Sequence, residues 1–98
     1  MAFTLFLTDE ARSGLRRLET DAGLAKRLKA VRKTLALLEA NPRHPGLRTH
    51  KFQSLVGPGG AEVFEAYAEQ ATPAAYRVFW CYGPEKGQIT VIAVTRHL

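Results

Sequence analysis

Leu24, Leu28, Val31, Leu35 and Leu38 recur at steps of four, three, four and three. At 100° per residue they form a stripe about 80° wide along one side of a helix. Lys26, Lys29 and Lys33 fall on the opposite side, and Arg27 and Arg32 flank the stripe. Such a stripe must lie on another apolar surface. Asn41-Pro42 ends the helix, because Pro42 disfavours helical backbone at Asn41 and has no amide to donate. After Gly46 the helical period disappears, so the surface beneath the stripe is expected to be a sheet.

The flanking segments agree. Phe3 to Leu7 is rich in β-forming residues and predicts a short strand. Thr8 can cap a following helix whose first turn carries Asp9 and Glu10. Ala11, Leu15 and Leu18 give that helix its apolar side. Gly14 weakens it by about 1 kcal/mol relative to alanine, and Asp21-Ala22-Gly23 breaks it. Thr49 to Val56, Val63 to Gln70, Ala75 to Tyr82 and Gln88 to Thr95 predict four more strands, with turns at Gly57–Gly60 and Gly83–Gly87. In the Val63–Gln70 segment, Phe64, Ala66 and Ala68 alternate with Glu65, Tyr67 and Glu69. The last two strands are apolar on both faces, as central strands are. The expected class is α+β: an N-terminal strand and an αα-hairpin packed on a mainly antiparallel sheet of four to five strands. With 98 residues, the expectation is one domain over 1–98, large enough to form a core without staples.

Charge narrows the partners. The chain has 14 basic and 9 acidic residues, a formal +5. Residues 1–55 hold 11 basic and 5 acidic residues, whereas residues 56–98 hold 3 and 4. The basic half favours an acidic partner: nucleic acid, an acidic protein or anionic lipid. A single cysteine, Cys81, excludes an internal disulfide framework and a Cys-rich zinc site, and it reads as a small buried hydrophobe. No segment reads as a signal peptide, and none approaches the roughly 20 residues needed to cross a bilayer. The expected location is the cytoplasm, with no membrane partner. There is no P-loop, GxGxxG, HExxH or metal-ligand spacing, so no cofactor and no metal are expected. Neither Ser13 nor Ser54 has a nucleophile-elbow context.

Three features carry chemistry. The segment Pro42 to Lys51 contains Arg43, Arg48, Lys51, His44 and His50 and no acid. It is either a solvated connector or a stiffened loop that grips phosphate oxygens. Arg77 sits in an apolar strand on the same face as Phe79 and Cys81. It either lines a concave site or pairs with a carboxylate such as Glu65. His97, beside Arg96 just past the last strand, is either simply exposed or an acid/base group. Tyr67 and Tyr76 are core residues or platforms for bases. Phe79, Trp80 and Tyr82 read as core.

In their order and spacing, the words Asn41-Pro-Arg-His-Pro-Gly-Leu-Arg-Thr-His-Lys-Phe52, Tyr76-Arg-Val-Phe-Trp80 and Ile89 to His97 resemble the RelE/ParE superfamily of toxin–antitoxin toxins. The likeness spans nearly the whole chain. It implies the toxin of a type II pair, whose partners are a cognate antitoxin, the ribosome and mRNA. RelE-like members are endoribonucleases that block translation by cutting mRNA in the ribosomal A site without a metal. The RNA 2′-hydroxyl attacks the adjacent phosphate and leaves a cyclic phosphate. Carried over by motif, Arg77 clamps the phosphate and His97 serves as acid or base. His50 and Lys51 stand where the family often carries a base or a cation. Arg43, Arg48, Lys29, Lys33 and Arg96 are expected to bind RNA backbone. The chain departs from the nuclease pattern at Glu65, Tyr67 and Glu69, where basic residues are common, and at Leu98, which follows His97. The alternatives are a ParE-like inhibitor of DNA gyrase, or a module of this fold that binds nucleic acid or a partner without catalysis.

Overall fold

The computed structural model describes residues 2–70 and 72–96. The elements are β1 (Thr4–Leu7), α1 (Asp9–Thr20), α2 (Ala25–Ala40), β2 (His50–Val56), β3 (Glu62–Tyr67), β4 (Arg77–Tyr82) and β5 (Gln88–Thr95). The five strands form one sheet in the order β1-β5-β4-β3-β2. β1 runs parallel to β5 and every other pair is antiparallel. This is the α+β arrangement expected from the sequence.

The two helices cover one face of the sheet. Ala11 and Leu18 of α1 and Val31 and Leu38 of α2 pack with Ala66, Val78, Trp80, Ile89, Val91 and Val94. The leucine stripe therefore does what its spacing requires: it removes its apolar area from water against β-strand side chains. Thr8 joins the layers. Its hydroxyl accepts from the Ala11 amide at 3.1 Å and donates to the Ile92 carbonyl at 2.6 Å. One group thus caps α1 and ties it to β5.

Gly14 has a reason that helix propensity hides. A Cβ at this position would come within 2.1 Å of the Val94 carbonyl oxygen. The missing side chain lets α1 lie directly on β5, and the propensity penalty is the cost of that approach.

The opposite face is only partly covered. Val63, Phe79 and Ala93 form a second, smaller core closed by Phe52, Leu55 and Ile92. The Phe52 and Phe79 rings meet edge to face, with centroids 4.8 Å apart. The register of β2 against β3 shifts between Lys51 and Val56. Cys81 is buried, and burial pushes its thiol pKa up. Tyr82, expected in the core, is 44% exposed at the rim, with its ring 5.0 Å from that of Trp80.

β3 ends sooner and β4 begins later than the alternation suggests. The Ala68 amide still donates to the Tyr76 carbonyl at 3.0 Å. The Tyr76 amide, however, is taken by the Glu69 carboxylate at 3.0 Å. A side chain replaces the next ladder bond, and the connection leaves the sheet as a loop. Among the described residues, no helix is long and apolar enough to cross a membrane.

Candidate functional site

The face not covered by helices carries Arg77, and the register explains why. Tyr67 lies opposite Arg77, and Arg77 lies opposite Thr95. His50 lies opposite Glu65. Residues two apart on a strand share a face, so His50, Glu65, Tyr67 and Arg77 all point away from the helices. Arg48, His50, Tyr67, Glu69 and Arg77, with Gln70 and Thr72 to Ala75, line an open groove of about 540 Å³.

Both readings of Arg77 hold together. Its Nη1 donates to Glu65 Oε2 at 3.2 Å, and it also lines the groove. The guanidinium carbon stands 5.4 Å from the centre of the Tyr67 ring. That ring meets the His50 ring edge-on, with centroids 6.0 Å apart. The carboxylate fixes the arginine on one side and the aromatic ring supports it on the other. The Arg77 Nε is buried and has no hydrogen-bond partner among the described residues.

Arg48 reaches the same groove from the connector. The chain there is organised rather than merely solvated. The Arg43 amide donates to Asn41 Oδ1 at 3.0 Å, and the Gly46 amide to His44 Nδ1 at 2.9 Å. Leu47 is buried and anchors the turn. Arg48 itself adopts the left-handed conformation, φ 49° and ψ 46°, which is uncommon for a residue with a Cβ.

The remaining candidates lie elsewhere. Lys51 lies opposite Phe64, a residue packed against the helix-side core. The expectation that it joins Arg77 is corrected by the alternation of β2: its Nζ stands 3.3 Å from Glu62 Oε2, away from the groove. Lys29 and Lys33 are exposed on α2, on the helical side of the sheet. Arg43 is exposed on the connector and does not line the groove. Arg96 lines a second cleft with Arg17 and Arg27. His97 lies outside the described residues.

From the sequence, Glu69 reads only as part of the acidic departure from the nuclease pattern, and its structural role is not legible there. Its carboxylate binds the Tyr76 amide and stands 3.8 Å from Arg27 Nε, so it ties the groove wall to α2. Among the described residues, no group of three His, Cys, Asp or Glu side chains is placed to hold a metal ion.

The architecture is that of a RelE/ParE-like toxin fold. The chain is similar to the YoeB/ParE toxin from Agrobacterium tumefaciens, with a TM-score of 0.72 and 10% identity over 97% of this chain and 99% of that one. It is similar to a chain of the archaeal RelE-RelB complex from Pyrococcus horikoshii OT3, with a TM-score of 0.64 and 14% identity over 97% and 94%. A mutant of the E. coli toxin RelE in the free state gives 0.60 and 18% over 97% and 83%. No family model matches the sequence, and no curated protein matches it.

Proposed function

We propose that the protein is the toxin of a type II toxin–antitoxin pair and acts in the cytoplasm as a RelE-like, ribosome-dependent mRNA endonuclease. The observation that carries this reading is the meeting of Arg77, His50 and Arg48 in one groove on the uncovered sheet face. A strand of RNA presents phosphates at regular spacing, and such a groove offers cations and a ring to receive it.

In this reading the substrate 2′-hydroxyl gives its proton to a base and attacks the adjacent phosphorus. The 5′-oxygen leaves with a proton from an acid, and a 2′,3′-cyclic phosphate remains. Arg77 neutralises the charge that builds on the phosphoryl oxygens. His50 is the imidazole in the groove, and His97 is the second proposed acid/base group. Arg48 holds the backbone of the incoming strand.

The proposed protein partner is an antitoxin segment of acidic or amphipathic character, matched to the basic half of the chain. The test is expression in cells, followed by mapping of mRNA ends on translating ribosomes. The expected result is cuts in the A site, lost in Arg77→Ala and reduced in His50→Ala and His97→Ala. Whole mRNA in the presence of folded protein overturns the nuclease reading.

One observation favours a second reading. Glu65 already occupies one arm of Arg77, and Glu69 adds another carboxylate at the groove. A ParE-like inhibitor of DNA gyrase has no need of a free phosphate clamp. Loss of supercoiling activity with mRNA left whole supports that alternative.

A further inference from the structure

A second cleft, of about 440 Å³, opens beside the same end of the sheet. Arg17 from the last turn of α1, Arg27 from the first turn of α2 and Arg96 just past β5 line it, together with Tyr76. Arg27 is partly engaged: it donates to the Ala74 carbonyl at 3.0 Å and lies over the Tyr76 ring at 5.6 Å. Its Nε is 3.8 Å from Glu69, which also binds the Tyr76 amide. Arg17 and Arg96 are exposed, and among the described residues neither has an ion pair. Three arginines thus line one cleft, with the Glu69 carboxylate, already shared, beside Arg27. Like charges gathered this way repel, and of the three only Arg27 has a carboxylate within ion-pair distance among the described residues.

Register relates the two clefts. Arg77 and Thr95 are paired on the groove face. Tyr76 and Arg96 are their immediate chain neighbours and line the other cleft. The two sites are therefore the two sides of one sheet end. We propose that Arg17, Arg27 and Arg96 bind a backbone phosphate of a single-stranded RNA that leaves the Arg77 groove around this end. Guanidinium forks match phosphate oxygens. Tyr76 is buried beneath Arg27 and leaves no ring on which a base can stack. The cleft therefore reads charge without sequence. The proposal rests on the RNA reading of the groove.

The test measures binding rather than cutting. A fluorescent single-stranded RNA is titrated with the full chain at several salt concentrations, for the wild type and for the pair Arg17→Ala/Arg96→Ala. Arg27 is left intact because it holds Glu69, Ala74 and Tyr76 in place. One lost phosphate contact makes the slope of log affinity against log salt shallower by about 0.7. Affinity at low salt drops several-fold, equally for two unrelated sequences. Arg17→Lys/Arg96→Lys keeps the slope. An unchanged slope and affinity in the alanine pair overturns the proposal.

A second measurement covers an alanine pair that does not fold. Arginine Nε–H resonances of the wild type are followed with the same RNA and with inorganic phosphate alone. Shifts at Arg17 and Arg96 with RNA support the cleft. Shifts with phosphate but none with RNA mean a free-anion site and overturn it. If the alanine pair weakens RNA binding while wild-type protein leaves ribosomal mRNA whole, the nuclease reading fails and the cleft stands. If mRNA is cut and the alanine pair binds RNA as the wild type does, the reverse holds.

Discussion

The Glu65 carboxylate and the Arg77 guanidinium meet at 3.2 Å on the sheet face that the helices leave open. They are diagonal neighbours, since Tyr67 lies opposite Arg77 and Phe79 lies opposite Glu65. The side chain of Glu65 is 11% exposed and that of Arg77 is 28% exposed. Removing one partner of a fully buried pair costs about 3–5 kcal/mol, and the solvent that reaches Arg77 screens part of that. Arg77→Ala is expected to lower stability by about 1–2 kcal/mol, and Glu65→Gln in the same chain to recover part of the loss. Urea denaturation of both single variants and the double variant measures this coupling. Strict additivity would mean that the pair holds nothing.

Gly14→Ala raises the intrinsic helix propensity of α1 by about 1 kcal/mol. It also sets a methyl group 2.1 Å from the Val94 oxygen. Backbone lies on both sides of that contact, so α1 must shift away from β5. The expected net effect is a loss of about 1–3 kcal/mol, as for an overpacked core. A thermal melt reads the sign: a variant that melts higher than the parent contradicts the close approach.

Arg48 combines a left-handed backbone with a place in the groove wall. Arg48→Gly relieves the conformation and is expected to raise stability by up to about 1 kcal/mol. The same change removes a cation from the groove and should weaken RNA binding several-fold. Stability and binding then move in opposite directions, whereas a purely structural arginine would leave binding unchanged.

Burial raises the pKa of the Cys81 thiol. The folded chain favours the neutral thiol, so this contribution is complete below the unfolded value, about 8.5. It declines as pH rises through the higher folded value. Alkylation with iodoacetamide at pH 8 is expected to be slow in the native chain and fast in urea. Equal rates in the two conditions would show that the thiol is open to solvent. Gly57 packs close to the thiol: a Cβ added there would stand 3.2 Å from Cys81 Sγ.

The elements were legible because each rests on local chemistry. The leucine stripe, the stop at Asn41-Pro42, the Thr8 cap and the alternation around Phe64 are written in neighbouring residues. Strand ends were less legible. Whether Tyr76 bonds to a backbone carbonyl or to the Glu69 side chain depends on a residue seven positions away.

The sequence by itself determined that this chain folds as a helical hairpin on a mainly antiparallel sheet, with its basic residues gathered in the first half. Periodicity and charge need no third dimension. Only the tertiary structure decided which side chains share a groove. His50 and Lys51 are adjacent in the chain, yet strand alternation sends them to opposite faces, one toward Tyr67 and the other toward Glu62. Arg48, His50 and Arg77 come together because β2, β3 and β4 pair in one particular register. A one-residue slip would turn every one of those strand side chains to the other face, so the register creates the site that the composition permits.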